Sequence, residues 1–355
     1  MTRRFLSLLL ALCLCLAMPL MANGEEAALT VTDMMGREIA LEGPAQRVVA
    51  LTAADCEIIY ALGAQDLLVG RGSYCDYPEA VLEVPVVDSG AETNLEQILA
   101  LEPDVLIMAA MAQTTEQVEA LENAGVKVIV SNAQDIAGTY EAISLIGAIC
   151  GKDAEAAALV ADMQASFQAI ADKAEDTGKT VYFEVSPLEW GLWTAGKNTF
   201  MDELATLCGV TNAFADVDGW AEISEEQVLD RNPDFIVTNT MYYGEGPTPV
   251  EEIASRAGWE AVTAVQLGNI YNADSNAESR PGPRLVQAAE ELYNFFYGET
   301  AAEDDAAWVL RGPRHANAAG LSVYVGEKLF ARLSLCRGAM IGAEFGALPQ
   351  TPAGG

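Results

Sequence analysis

A chain of 355 residues, 51% of them apolar, is long enough to bury two cores of ordinary size. Its 19 Lys and Arg stand against 52 Asp and Glu, and a net charge of −33 repels phosphate backbones and anionic lipid surfaces, which excludes nucleic acid as a partner. Seven cysteines without a CxxC, and a single histidine, His315, exclude a structural zinc cluster.

The chain opens "MTRRFLSLLLALCLCLAMPLMANGEE": Arg3 and Arg4, an apolar run from Phe5 to Met18, Pro19, then the small-residue pattern Ala22-Asn23-Gly24. This pattern predicts a secretory signal peptide over 1–24, because the run is shorter than the ~20 apolar residues a spanning helix needs. Cys13 and Cys15 lie inside it, which leaves Cys56, Cys75, Cys150, Cys208 and Cys336. That odd and scattered set reads as no disulfide framework.

From residue 25 to 137 strands alternate with helices: "RVVAL", a helix from Asp55 to Leu62 stopped by Gly63, "DLLVG", the helix "EQVEALENAG" and the strand "VKVIVS". Within this stretch "NLEQILALEPDVLIM", residues 94–108, anticipates "SEEQVLDRNPDFIVT", residues 224–238. In each copy a polar N-cap, Asn94 or Ser224, is answered three residues later by Gln97 or Gln227, which predicts a capping box. Pro103 and Pro233 end the helices, and "DVLIMA" and "DFIVTN" read as buried parallel strands. One helix-turn-strand sentence written twice predicts two similar lobes. Between them, over 138–178, helical apolar spacing predicts one or two long helices. From 179 to 298 the alternation resumes with "TVYFEV", "TFMDELATLCG", "DFIVTN" and "NIYNA". Residues 299–355 hold 5 Lys and Arg and 6 Asp and Glu against 14 and 46 in the rest, so a different rule governs them, and they read as an appended tail.

"TDMMGREIALEGPAQRVVAL", "CEIIYALGAQDLLVGRGSYCDYP", "NLEQILALEPDVLI", "GVKVIV", "WTAGKNTFMDELATLCGVTNAFAD", "SEEQVLDRNPDFIV" and "RPGPRLVQAAEELYNFF" follow one another between about residue 30 and 298. In that order they resemble the extracytoplasmic substrate-binding proteins of iron-siderophore, haem and cobalamin ABC importers. The resemblance implies an α/β fold of two Rossmann-like lobes joined by a long rigid interlobe helix. It also implies a ligand in the cleft between them, no cofactor, no enzymatic activity, and monomeric delivery to an ABC importer permease. The sequence departs from the family's lipid-anchored members, since neither "LALC" nor "LCLC" has a small residue before its cysteine.

For the ligand, Tyr74 and Tyr77 in "SYCDYP" and Trp193 and Trp220, with Trp190 nearby, offer flat rigid faces to a corrin, porphyrin or chelate shell, against the plainer role of core packing. Tyr242 and Tyr243 follow a strand end, where open α/β sheets bind ligands. Arg280 and Arg284 present planar donor forks to anionic oxygens, or else pair with nearby acids, while Asp274 and Glu278 of the same loop could accept from ligand amides. Glu96 and Glu226, equivalent in the repeat, are by resemblance the carboxylates that dock on permease arginines; otherwise they are solvated helix residues.

"GLWTAGKN" spells a P-loop without the Ser or Thr that binds Mg²⁺, and is rejected as a nucleotide site. No G-x-S-x-G elbow is present, so the enzyme alternative is a secreted carboxylate-dependent hydrolase. A receptor for free Zn²⁺ or Mn²⁺ would want histidines that the chain before residue 299 lacks. Scarce cations disfavour a catecholate, and the missing histidine disfavours haem, although tyrosine ligates iron as well.

Overall fold

The structure is a computed structural model that describes residues 29–89, 93–110, 115–242, 244 and 246–298. The signal segment, Tyr243 and the 299–355 tail lie outside the described residues.

After a hairpin of β1 (Leu29–Thr32) and β2 (Glu38–Leu41), the first lobe is an all-parallel sheet of β3 (Val48–Ala50), β4 (Leu68–Gly72), β5 (Val86–Val87), β6 (Val105–Met108) and β7 (Lys127–Val130). Its order is β5-β4-β3-β6-β7. Helices α1 (Ala53–Ala61), α2 (Leu95–Ala100) and α3 (Thr115–Asn123) connect the strands. The second sheet has β8 (Thr180–Ser186), β9 (Trp193–Ala195), β10 (Thr211–Asn212), β11 (Trp220–Glu222), β12 (Phe235–Thr238) and β13 (Ile270–Asn272). It runs β11-β9-β8-β12-β13 with β10 beside β8, and β9 runs antiparallel to both of its neighbours, β8 and β11. Helices α6 (Phe200–Leu207), α7 (Glu225–Arg231), α8 (Pro249–Ser255), α9 (Thr263–Leu267), α10 (Ser275–Glu278) and α11 (Leu285–Tyr297) belong to this half.

The repeated sentence folds twice into the same object. α2 leads into β6 and α7 into β12, and every residue of both strands is buried, as continuous apolar runs in parallel sheets require. Both helices end on a non-glycine residue in the left-handed region, Glu102 at φ 47° and Asn232 at φ 45°, each followed by proline. The aspartate after each proline then latches the neighbouring strand: Asp104 accepts the backbone N–H of Gln46 at 2.7 Å and of Arg47 at 3.0 Å, and Asp234 that of Thr180 at 2.9 Å. The copies differ at the cap. Ser224 and Gln227 close the expected capping box. In the first copy Asn94 accepts from the Gln97 N–H, but the Gln97 side chain turns away and pairs with both the N–H and the carboxylate of Asp88, because β5 ends beside it.

The lobes are joined by two helices, α4 (Ile136–Ile149) and α5 (Asp153–Ala171), turned at Gly151 with φ +64°. A Cβ at Gly147 would stand 2.5 Å from the Ala156 Cβ, so glycine permits the close approach of α4 to α5. One apolar core continues from Val48 and Ile58 of the first lobe through Ile146, Met163 and Phe167 of these helices to Phe183, Phe235 and Leu292 of the second. The α/β architecture of two lobes with a helical connection follows the sequence expectation, in its two-helix form.

A candidate ligand cleft between the lobes

In open α/β sheets ligands bind beyond the carboxyl ends of the strands. Here those ends face each other across the lobes. The loop after β13 carries Arg280 and Arg284, and the loop after β4 carries Tyr74, Asp76 and Tyr77. Between them stands Glu57, on α1 directly after β3.

Glu57 is 4% exposed, two residues after the buried Asp55 of the same helix, and both arginines close on it. Arg284 donates Nε to Glu57 Oε2 at 2.8 Å and Nη2 to Oε1 at 2.7 Å, while Arg280 Nη1 reaches Oε1 at 3.1 Å. Arg280 also donates to Asp76 Oδ1 at 2.6 Å and to the Tyr74 carbonyl at 3.3 Å. Asp274 approaches Arg284 at 3.5 Å. The Arg284 guanidinium lies over the Tyr77 ring, 4.2 Å from its centroid. Burial works against the Arg284 charge, but the hydrogen bonds and field of Glu57 outweigh it and raise its pKa, so this arginine stays charged. Two cations face three carboxylates here, and the arginine end of the cleft is net acidic.

The first-lobe loop is held from behind. Arg71, 7% exposed, donates Nη1 to the Cys75 carbonyl at 2.9 Å and Nε to the Val84 carbonyl at 3.2 Å, so this cation shapes the loop instead of facing the cleft. Tyr74 and Tyr77 are thereby presented 73% and 42% exposed.

The aromatics of the second lobe divide into two kinds. Trp193 begins β9 and is 40% exposed, and Trp190 is 76% exposed. Tyr242, 44% exposed beyond the end of β12, donates its hydroxyl to the Gly246 carbonyl at 3.2 Å. Trp220 on β11 is half-buried: it packs on Phe200 with centroids 5.5 Å apart and donates its indole N–H to Gln134 Oε1 at 3.3 Å. Gln134 lies in the segment between β7 and α4 and also accepts the Phe200 N–H at 2.9 Å. Trp220 thus joins the halves as well as lining their junction.

Glu278 is 2% exposed and its Oε1 has no hydrogen-bond partner among the described residues. Burial, then the charges of Glu291 and Asp274, push its carboxyl up to about 8. It is therefore protonated at neutral pH. The backbone N–H groups of the P-loop-like stretch are committed: Gly196 donates to the Gly219 carbonyl at 2.8 Å and Lys197 to the Val217 carbonyl at 2.8 Å, so no anion cradle forms. Among the described residues no group of three or more His, Cys, Asp or Glu could hold a metal ion. Glu96 and Glu226 are exposed on the first turns of α2 and α7.

The family model for periplasmic binding proteins matches residues 48–277. The chain belongs to this family. An uncharacterised ABC transporter substrate-binding lipoprotein of Bacillus subtilis, YvrC, is 32% identical over 79% of this chain and 88% of its own length. A cobalamin-binding protein of Halobacterium salinarum is 30% identical over 76% of this chain and 74% of its own. Among solved structures, the periplasmic vitamin B12 binding protein of Vibrio cholerae is 25% identical, covers 72% of this chain and 98% of its own, and superposes with a TM-score of 0.61. These relatives are binding proteins, which favours capture over hydrolysis. No helix among the described residues is long and apolar enough to cross a membrane.

Sequence reasoning singled out both arginines and both first-lobe tyrosines, and the structure brings those four together. It missed Glu57, whose one signal was an acid in the middle of the apolar helix "CEIIYAL". It also missed Asp76 and Gln134, which gain their partners only across the lobes.

Proposed function

We propose that the chain is the exported substrate-binding protein of an ABC importer, working as a monomer that captures its ligand between the lobes and hands it to the permease. Of the cobalamin, haem and iron-chelate ligands of its relatives, a corrinoid fits this cleft best. The observation that carries the choice is Glu57: with Asp76 and the Tyr74 carbonyl it already occupies the donor forks of Arg284 and Arg280 that a ligand carboxylate or catecholate would need. An anionic chelate must displace Glu57 and face Asp76 and Asp274 as well. A ligand without carboxylates, rich in amides and with a broad apolar rim, leaves the ion pairs intact and lies on Tyr74, Tyr77, Trp193, Trp220 and Tyr242. Delivery rests on Glu96 and Glu226, carried at equivalent places on the two lobes and free to meet a two-fold basic surface.

Titration with cobalamin, haem and several ferric siderophores, followed by tryptophan fluorescence and thermal shift, tests this assignment. Cobalamin is expected to raise the melting temperature without being consumed, by an amount that grows with the logarithm of its concentration over Kd. A stronger shift with a tri-anionic catecholate chelate would overturn the corrinoid choice. Turnover of any probe would favour the hydrolase reading.

A further inference from the structure

Cys56 and Cys75 lie 19 positions apart in a set of cysteines with no framework spacing, yet the fold brings them together in the first-lobe core. Both side chains are completely buried. The two sulfurs converge on one atom, the Ala50 carbonyl oxygen, Cys56 Sγ at 3.6 Å and Cys75 Sγ at 4.0 Å, and the neighbouring Cys75 thiol, with burial, raises the pKa of Cys56. Cys150 and Cys208 are also buried, but neither meets another cysteine among the described residues: Cys208 Sγ turns to the Ala289 carbonyl at 3.6 Å, and burial alone pushes its thiol up to about 12.

We propose that in the exported protein Cys56 and Cys75 form a disulfide, and that this bridge sets the first-lobe wall of the cleft. The wall consists of two separate segments, each with a cysteine beside its gripping group. Cys56 precedes Glu57, which holds Arg280 and Arg284. Cys75 stands between Tyr74, whose carbonyl accepts from Arg280, and Asp76, whose carboxylate does the same. A bond between the sulfurs fixes the distance between these two grips before any ligand arrives.

The chemistry balances as thiol-disulfide exchange. Two cysteine thiols and one external disulfide, from an oxidoreductase or from glutathione disulfide, give the Cys56–Cys75 disulfide and two external thiols. The first thiolate attacks the external disulfide and expels one thiolate; the second attacks the mixed disulfide and expels the other, and the two protons from the cysteines go to those leaving groups. With both sulfurs buried in the folded state, the exchange takes place while α1 and the β4 loop are still open. Once folded, desolvation and the partner sulfur protect unreacted thiols from attack. Compartments outside the cytoplasm are oxidising, so the bridge persists there once formed.

The bridge rests on the export reading, and the two are tested separately. Full-length mature protein, unfolded and reduced, is refolded in a glutathione redox buffer, its remaining thiols are alkylated under denaturant, and it is digested without reduction. The expected product is a peptide pair joined through Cys56 and Cys75, lighter by two hydrogens than its reduced parts. Alkyl label on both residues, or either one bridged to another cysteine, overturns the proposal whatever the compartment. The same digest on protein recovered from outside the cytoplasm is expected to contain the same pair; its presence after refolding but absence there would refute the bridge in the exported protein, whereas failure to find the protein outside the cytoplasm refutes export alone. As a second readout, reductant is expected to lower the melting temperature of the wild type and not of Cys56→Ala/Cys75→Ala. Equal shifts in both proteins would overturn the bridge.

Discussion

Replacing Glu57 by glutamine keeps its shape but removes the charge that Arg280 and Arg284 share. Stability is expected to fall by about 1.5–3 kcal/mol, the range for hydrogen bonds to charged groups. At the same time the freed forks are expected to improve binding of anionic chelates while leaving cobalamin nearly unchanged. Parallel titrations of wild type and Glu57→Gln with one ligand of each charge check this, and weaker binding of both would give Glu57 a direct ligand contact instead. Arg256 and Glu184 form another pair, 3% and 1% exposed, in bidentate geometry at 2.7 and 2.9 Å, with the guanidinium 4.5 Å from the Trp259 centroid. Glu184→Ala leaves that guanidinium buried with only Glu252 to answer it, and is expected to cost about 3–5 kcal/mol in denaturant unfolding. Glu278 sets a pH dependence. Its pKa is raised from 4.5 to about 8 on folding, and that of Asp55 from 3.8 to about 6, both chiefly by burial. A raised acid binds more protons folded than unfolded, so its contribution is complete below the unfolded pKa and is lost as pH rises through the folded one. Thermal melts are expected to show a lower midpoint at pH 8 than at pH 5, and Glu278→Gln, which needs no proton, is expected to flatten the difference.

At the scale of elements, the paired units α2-β6 and α7-β12 do two jobs. Inward, each aspartate after the proline binds the start of the adjacent strand. Asp234→Ala strands the Thr180 N–H and hydroxyl, 2.9 and 3.2 Å from the lost carboxylate, and is expected to cost about 1–3 kcal/mol. A lower urea midpoint at unchanged m-value would register it. Outward, each unit exposes a glutamate on the first turn of a short helix. If Glu96 and Glu226 are the docking carboxylates proposed above, the double variant Glu96→Arg/Glu226→Arg is expected to retain ligand affinity and lose uptake, because it would set like charges against the proposed basic surface of the permease. Normal ligand-stimulated ATP hydrolysis by the reconstituted importer would return both glutamates to ordinary surface residues.

For the whole molecule, the shared core among the described residues runs from Val31 to Phe296, and the composition of residues 299–355 reads as that of an appended tail. A chain ending at Gly298 is therefore expected to melt and bind as the full chain does. A large loss of either would make residues 299–355 part of the folded body.

Local rules fixed most of the architecture. Gly63, Asn94 and Ser224 bound their helices, strand runs such as "DFIVTN" were apolar because both faces of a parallel sheet are covered, and the repeated sentence specified two like lobes. The aromatic residues and arginines of the cleft were also legible, as residue types that ligands need. Their assignment was not, because a sequence gives no distances between residues far apart in the chain. Only folding put Glu57 between two arginines more than 220 residues downstream, as the separations of 223 and 227 record. Only folding made Trp220 an interlobe hydrogen-bond donor and set Cys56 against Cys75. Patterning follows from local sterics and solvation; charge pairing, buried carboxyls and thiol contact depend on which surfaces the tertiary fold removes from water together.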